Sequence, residues 1–502
     1  MAEGGSSINT TRESSVDSEV VKLKVKQKDC ELTVTQTELS WTIKDQKKNG
    51  TFSVRRRDLV AVKTKEDVKN KDSTVLTVVY VKQQKDFVLK RCEESFSGSN
   101  SVCLAVAKTL QDGINQCADR PKRLLVLINP ISGFSRGEKN YKNICAPIFE
   151  EAGIQTDVIV TQSAGHTKEA INGYNLQTIN GIIFVSGDGM YHTLLNALFK
   201  RMAMELGKDL NDPNYEPPEL TVSVGHIPCG SGNRIAFGAN GCFDVATAVY
   251  AIVLGFKTKN NIFSVYSGNE FIAYAFMLVS GIWSDLLTLS EGRRSMGQIR
   301  IPLSAIQQFL IKSQRVADLT LKFKAAEDFS DRNETALQRF LRDHRYTRNT
   351  EKEASDSNTQ ESATLTVVRG PFVALVDLDV MVSSLVDTFH MPNYKPISDA
   401  SQLVIHKPCS KWEMLKTMWN MALNTSQFAD EPPEYALSLF VNEFSVHVNN
   451  PNDAESYLGR LERTLSIDGE MFTLKEPEFT ARYYPGKVPI FCNIPGVTGR
   501  VG

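Results

Sequence analysis

Between Val20 and about Phe87 the apolar residues recur at alternate positions in short runs, VKLKV, ELTVT, LSWTI, TFSV, STVLTVVYV and DFVLK, with turn residues between them. A period of two is that of a strand with one buried face, so the segment is predicted as antiparallel β-structure. Residues 101–115 follow with helical spacing. Residues 1–18, rich in Gly, Ser, Thr and charge and without apolar periodicity, read as a disordered tail.

After a linker at 119–122 the pattern changes. The runs RLLVLIN, TDVIVT and GIIFVS alternate with helical segments near 141–151, 167–172 and 191–204. Strands alternating with helices predict a parallel sheet covered by helices. Beyond about residue 261 the chain turns strand-rich again, with IFSVYS, FIAYAFMLVSG, ADLTLKFK, ATLTVVRGPFVALVDL, LSLFVNEFSVHV and RTLSIDGEMF, interrupted by one helical stretch at 411–423. The expected architecture is therefore an α/β nucleotide-binding domain at 120–262, then an antiparallel β-rich, sandwich-like domain at 263–490. A small β module at 19–118 precedes both. Residues 327–361, dense in charged and polar side chains, read as a mobile insertion.

Composition narrows the function. At 502 residues the chain can hold two or three cores, and 57 basic against 58 acidic side chains give a net charge of -1. That balance argues against nucleic acid as a partner, because no general positive field is available to hold it. Nine cysteines without a CxxC pair, and no basic-then-apolar leader, point to a reducing, cytoplasmic setting. No run of 18 apolar residues is present, so contact with a membrane is expected to be peripheral and transient.

Three glycine-rich turns follow predicted strands of the α/β segment. They are Asn129-Pro-Ile-Ser-Gly133-Phe-Ser135-Arg-Gly137, Ser186-Gly187-Asp188-Gly189, and Pro228-Cys-Gly230-Ser231-Gly232-Asn233. One such turn usually only ends a strand. Three in order predict one phosphate site, because loops at the carboxyl ends of parallel strands converge and helix N-termini add positive charge. Neither the Walker A pattern, nor GxGxxG, nor the protein-kinase triplets occur.

LLVLINPISG, FVSGDGMYHTLLNAL, IPCGSGN and a distal IDGEM together resemble the diacylglycerol-kinase catalytic superfamily, and within it the sphingosine kinases, over about residues 120–484. The resemblance implies transfer of the γ-phosphate of ATP to the primary hydroxyl of sphingosine or a related sphingoid base, giving sphingosine 1-phosphate, with Mg2+ as cofactor. It makes Asp188 the general base, a role suited to a carboxylate beside phosphate. ATP would pack on the three glycine turns, with Thr161 touching the nucleotide and Arg293 and Arg294 reaching its phosphates. Asp468, Gly469 and Glu470 would lie near those phosphates, Asp468 also meeting the metal. Asp285 would recognise the lipid head. By analogy the N-terminal β module is pleckstrin-homology-like, its Arg55, Arg56 and Arg57 facing anionic headgroups or merely edging a solvated hairpin.

Departures from the family pattern stand beside these matches. Thr193 replaces a common glutamate, Gln162 another, and Ser135-Arg136-Gly137 stands where Gly-Lys-Gly is usual. On 411–423, Trp412, Leu415, Met418, Trp419 and Ala422 share a helical face, which reads as core or as the lining of a lipid tunnel with Trp412 and Met418 in contact with the chain. A ceramide kinase, or a weakly active lipid-binding scaffold of the same fold, are the alternatives. The sequence leaves oligomeric state open.

Overall fold

The computed structural model describes residues 19–43, 50–67, 70–133, 136–163, 165–212, 214–230, 232–293, 296, 299–311, 316–352, 364–372, 374–378, 400–422 and 434–493. They form two compact units, one of residues up to 120 and one of residues from 121 onward, apart from short exchanged segments at 85–88 and 151–153.

In the first unit seven antiparallel strands make one sheet: β1 (Glu19–Val25), β2 (Lys28–Val34), β3 (Glu38–Ile43), β4 (Gly50–Arg55), β5 (Leu59–Asp67), β6 (Asn70–Gln83) and β7 (Leu89–Ser99), in the order β4-β3-β2-β1-β7-β6-β5. The Asn100–Gln116 helix closes it. Cys103, Val106, Leu110 and Ile114, spaced three or four apart, put one helix face onto Leu23, Leu32, Leu76 and Phe96. The basic triplet is not a free cationic patch. Arg55 pairs with Asp58 at 2.7 Å, and Arg56 donates to the carbonyls of Thr35 (3.0 Å) and Thr109 (2.9 Å). Gly113 makes room for that guanidinium, since a Cβ there would lie 2.1 Å from Arg56 Nη2.

The second unit is built on one mixed sheet of sixteen strands among the described residues. Its parallel part is β8 (Arg123–Ile128), β9 (Gln155–Val160), β10 (Gly181–Ser186) and β11 (Ser223–Pro228), side by side in the order β11-β10-β8-β9. β10 and β11 are buried at every position, which is why β10 reads as a continuous apolar run. The remainder is β12 (Lys257–Ser267), β13 (Glu270–Ala275), β14 (Met277–Gly281), β15 (Ala317–Ala325), β16 (Thr347–Lys352), β17 (Thr364–Phe372), β18 (Ala374–Leu378), β19 (Ser401–His406), β20 (Ala436–Val448), β21 (Thr464–Ile467), β22 (Glu470–Thr473) and β23 (Glu478–Phe491). β23 joins the two kinds of sheet. It pairs antiparallel with β12 and β20 and parallel with β11, Val224 opposite Ile490. No break separates 120–262 from 263–490, and the boundary expected near residue 262 falls inside β12.

Two further expectations change. The first part of the polar stretch 327–361 is ordered as a 3-10 turn, the Ser330–Phe340 helix and β16. Its few apolar side chains explain this: Leu337 and Phe340 pack into the β-rich core, and Asn333 bonds both backbone groups of Phe440 on β20 at 2.8 Å each. The rest of that stretch and the tail 1–18 lie outside the described residues. The β-rich segment also contains helices that alternation did not reveal, Ile282–Glu291 and Arg300–Ile311. Among the described residues no single helix is long and apolar enough to cross a membrane.

Candidate active site

Each glycine turn leaves the end of a parallel strand, and the turns approach one another backbone to backbone. A Cβ on Gly230 would sit 2.3 Å from Gly187 Cα, and one on Gly133 1.8 Å from the Cys229 carbonyl oxygen. Gly133 is also at φ +57°, so both its conformation and its surroundings demand glycine. Hydrogen bonds tie the turns to one another: Cys229 N–H donates to Ser186 O at 3.0 Å, Asn129 N–H to Val185 O at 3.2 Å and Asp188 N–H to Gly232 O at 3.3 Å. The Asn233 amide closes the third turn on itself, accepting from Gly230 N–H and donating to Gly230 O, both at 2.9 Å. Asn129 does the same for the first, its Oδ1 accepting from Ile131 N–H at 3.2 Å.

Asp188 is the first residue of the Asp188–Glu205 helix. Its carboxylate crosses to the third turn and accepts the backbone N–H of Arg234 (2.9 Å) and Ile235 (3.2 Å), capping the Arg234–Asn240 helix. The side chain keeps 15% of its surface open. His226 lies behind it, wholly buried on β11, with Nδ1 4.0 Å from Asp188 Oδ1 and Nε2 2.9 Å from the Ser186 carbonyl. Burial pushes this imidazole down from its ordinary range and keeps it neutral.

One turn along the same helix, His192 Nδ1 meets Asp468 Oδ2 at 2.7 Å. Asp468 and Gly469 form the two-residue hairpin between β21 and β22, with φ of 54° and 88°. Both values are positive, as the favoured hairpin turn with Asp-Gly requires. The other oxygen, Asp468 Oδ1, accepts the N–H of Phe276 (2.9 Å) and Met277 (2.8 Å), fastening the hairpin to the start of β14. Burial pushes the Asp468 carboxyl upward, against the pull of His192 and these two donors. The hairpin thus carries the exposed Glu470 to the helix start, with Oε1 3.6 Å from where a Cβ on Gly189 would be. Asn196, a turn further on, locks the helix to β13 by bonding both Tyr274 N–H (3.0 Å) and Tyr274 O (2.9 Å).

Asp188, Gly187, Gly189, Gly230, Gly232, Asn233, Asp468 and Glu470 therefore gather around one helix N-terminus. Other expected residues are used differently. Asp468 is not a metal ligand in this arrangement, because its side chain is fully buried and both oxygens are engaged. Among the described residues no group of three or more His, Cys, Asp or Glu is arranged to hold a metal. An ion carried in on the phosphates of ATP belongs to the substrate and needs only one or two carboxylates from the protein.

Arg293 turns its guanidinium onto Ser304 (2.9 Å) and Gln307 of the Arg300–Ile311 helix, which commits the fork expected to chelate phosphate. The Thr161 hydroxyl donates to Ile128 O at 3.2 Å, a strand-end bond. Asp285 is buried within the Ile282–Glu291 helix. Trp412 is 72% exposed and touches Phe309, while Met414 fills the core against Ile282, Trp283 and Leu286, so in the described first turn of the Lys411–Ala422 helix the buried side chain is Met414 and not Trp412. Ser135, Ser231, Arg294 and the Met418 side chain lie outside the described residues. His226 escaped the sequence reading because one histidine in SVGHIP is indistinguishable from a core residue. The only signal was its place two residues before a glycine turn.

Residues 123–265 match the diacylglycerol kinase catalytic domain family. The matched segment is similar to that domain. It contains all three turns and Asp188, whereas Asp468 and Glu470 lie beyond it. The chain is similar to the ceramide kinase of Mus musculus, 30% identical over 287 residues, 55% of this chain and 54% of that one. It is also similar to the ceramide kinase of Homo sapiens, 32% identical over 227 residues (45% and 42%), and to sphingosine kinase 2 of Homo sapiens, 32% identical over 197 residues (37% and 28%). The matched region spans about half the length of the curated ceramide kinases. A crystal structure of a diacylglycerol kinase from Bacillus anthracis aligns with 75% of this chain and 99% of its own at 12% identity and a TM-score of 0.45.

Proposed function

We propose that the chain is an ATP-dependent lipid kinase that moves the γ-phosphoryl group of magnesium-ATP to the primary hydroxyl of a sphingoid lipid. The observation that carries this reading is the backbone closure of the Gly187 and Gly230 turns around a solvent-reached Asp188. Glycine at both positions lets a phosphate chain approach the amides, and the N-terminus of the Asp188–Glu205 helix favours negative charge there. Asp188 is held in place by two backbone donors, with lone pairs left to orient the alcohol and take its proton. The catalytic gain then comes from bringing two substrates together in fixed geometry.

Sphingosine is the substrate the Ser186-Gly-Asp-Gly turn favours. Ceramide, which offers the same hydroxyl, is the second reading, favoured by the ceramide kinases among the relatives. The first unit, with its seven strands and closing helix, is read as a pleckstrin-homology-like module giving transient membrane contact from the cytoplasm. Radiolabelled ATP offered with micelles of sphingosine, ceramide or diacylglycerol tests the proposal. Sphingosine is expected to be labelled, and Asp188→Asn to lose about 100-fold or more in kcat while still folded. Full activity in Asp188→Asn would remove the mechanism, and labelling of diacylglycerol alone would remove the substrate class.

A further inference from the structure

His226 is held so that only one of its nitrogens has a purpose in the fold. Nε2 lies 2.9 Å from the Ser186 carbonyl, which can only accept, so this nitrogen carries the proton. The ring stacks on Phe184 at 4.2 Å between centroids and 21° between planes, which prevents it from swinging away. Nδ1 is thereby left with a lone pair. It is buried, has no hydrogen-bond partner, and faces Asp188 Oδ1 at 4.0 Å.

A bare nitrogen lone pair opposite a carboxylate, out of water, is an unfavourable arrangement that one proton between them would relieve. The other ionisable groups around the pair are Arg234, whose backbone N–H already bonds Asp188, Glu470 beside Gly189, and His192 with Asp468 one turn along the helix. Asp188 is the one whose charge acts on His226.

Taking Asp188 as the base, as proposed above, we propose that His226 Nδ1 is the acceptor that holds the proton Asp188 removes from the lipid hydroxyl. As the hydroxyl O–H bond breaks, its proton passes to Asp188 Oδ1 and its electron pair forms the new bond to the γ-phosphorus. The bridging P–O bond of ATP breaks and ADP leaves with that pair. The protonated carboxyl then closes the 4.0 Å gap to about 2.7 Å and donates to Nδ1, and the proton later leaves to solvent. The imidazole never touches substrate. It is a positioning residue that makes Asp188 a stronger base by stabilising its protonated form.

Two substitutions separate the nitrogens. His226→Gln places an amide N–H near the Nε2 position, keeping the bond to Ser186 and deleting the Nδ1 acceptor. His226→Asn places an acceptor near Nδ1 and loses the Ser186 bond. Both are assayed with magnesium-ATP and whichever of sphingosine or ceramide the wild type labels, from about pH 5 to 9, with melting curves alongside.

The acid limb of kcat is expected to move down by about one pH unit in His226→Gln, a tenfold weaker base, and to stay within about 0.3 unit of wild type in His226→Asn despite its lower melting point. If the Gln variant does not fold, His226→Phe, which keeps the stack on Phe184 and also lacks Nδ1, takes its place. An unmoved limb when Nδ1 is deleted, or an equal shift in the Asn variant, overturns the role of His226 while Asp188→Asn remains inactive. Full activity of Asp188→Asn, or no labelled lipid with wild type, overturns the kinase reading and this role with it.

Discussion

Gly230→Ala puts the closure of the glycine turns to a direct test. The new methyl carbon would lie 2.3 Å from Gly187 Cα, 2.7 Å from Gly187 N and 3.0 Å from Gly232 O. All three are backbone atoms, so no side-chain rotation relieves the contact. Restoring an ordinary carbon–carbon separation of about 3.7 Å requires the second and third turns to part by roughly 1.4 Å. Asp188 spans the same gap, bonded to Arg234 and Ile235 on the far side, and would be drawn off line. A displacement of about 1 Å at a positioned group costs on the order of 100-fold, so kcat/KM for lipid phosphorylation should fall by about that factor, near 2.7 kcal/mol in transition-state binding. Overpacking costs about 1–3 kcal/mol of stability, so the melting point should drop by only a few degrees. Gly173→Ala, where an added Cβ meets nothing within 4 Å, is the matched control and should behave as wild type. The assay is radiolabelled phosphate transfer with parallel calorimetry. Activity within about threefold of wild type in a folded Gly230→Ala would refute the idea that the turns must touch.

Three other outcomes follow from the geometry. Asp468→Asn should keep the bonds from Phe276 and Met277 on its remaining oxygen and lose about 1 kcal/mol, whereas Asp468→Ala strands two buried donors and should lose about 3 kcal/mol or more in urea unfolding. Asn196→Leu leaves both backbone groups of Tyr274 without their partner and should cost about 2–5 kcal/mol, read as a lower urea midpoint with unchanged slope. His406, buried against Trp283, has its pKa pushed down to about 4 by burial. The unfolded chain therefore binds a proton that the native chain does not between about pH 6.5 and 4, and stability falls as pH drops through that window, by up to about 3 kcal/mol. His406→Phe should flatten that part of the stability–pH curve.

The sequence was most legible where chemistry is local. RLLVLIN and GIIFVS are β8 and β10 to within a residue or so, because strands buried on both faces must be apolar throughout, whereas TDVIVT is β9, the edge strand with no buried position, legible by its β-branched residues. The glycine turns were legible as turns, and their order implied convergence. What escaped depends on contacts distant in the chain. The helix after the second turn begins at Asp188 rather than near Tyr191, and the Asp188 carboxylate reaches Arg234 and Ile235 at the start of another helix, a contact that no local pattern contains. The resemblance placed Asp468 beside the metal, and nothing in IDGEM announces His192, 276 residues away. The 411–423 stripe put Trp412 inward, but indole area alone did not decide the face once Met414 had a place in the core.

β23 has a consequence for how the molecule can be cut and how it is made. The strand that borders β11 is the last one in the described chain, so the parallel half of the sheet cannot be completed from its own residues. A fragment ending before Glu478 would present β11, β12 and β20 with unpaired amide rows, an invitation to aggregate. Residues 121–262 are therefore a poor candidate for independent expression despite holding every glycine turn. On the ribosome the crevice between the glycine turns must wait until β23, Glu478–Phe491, has been made.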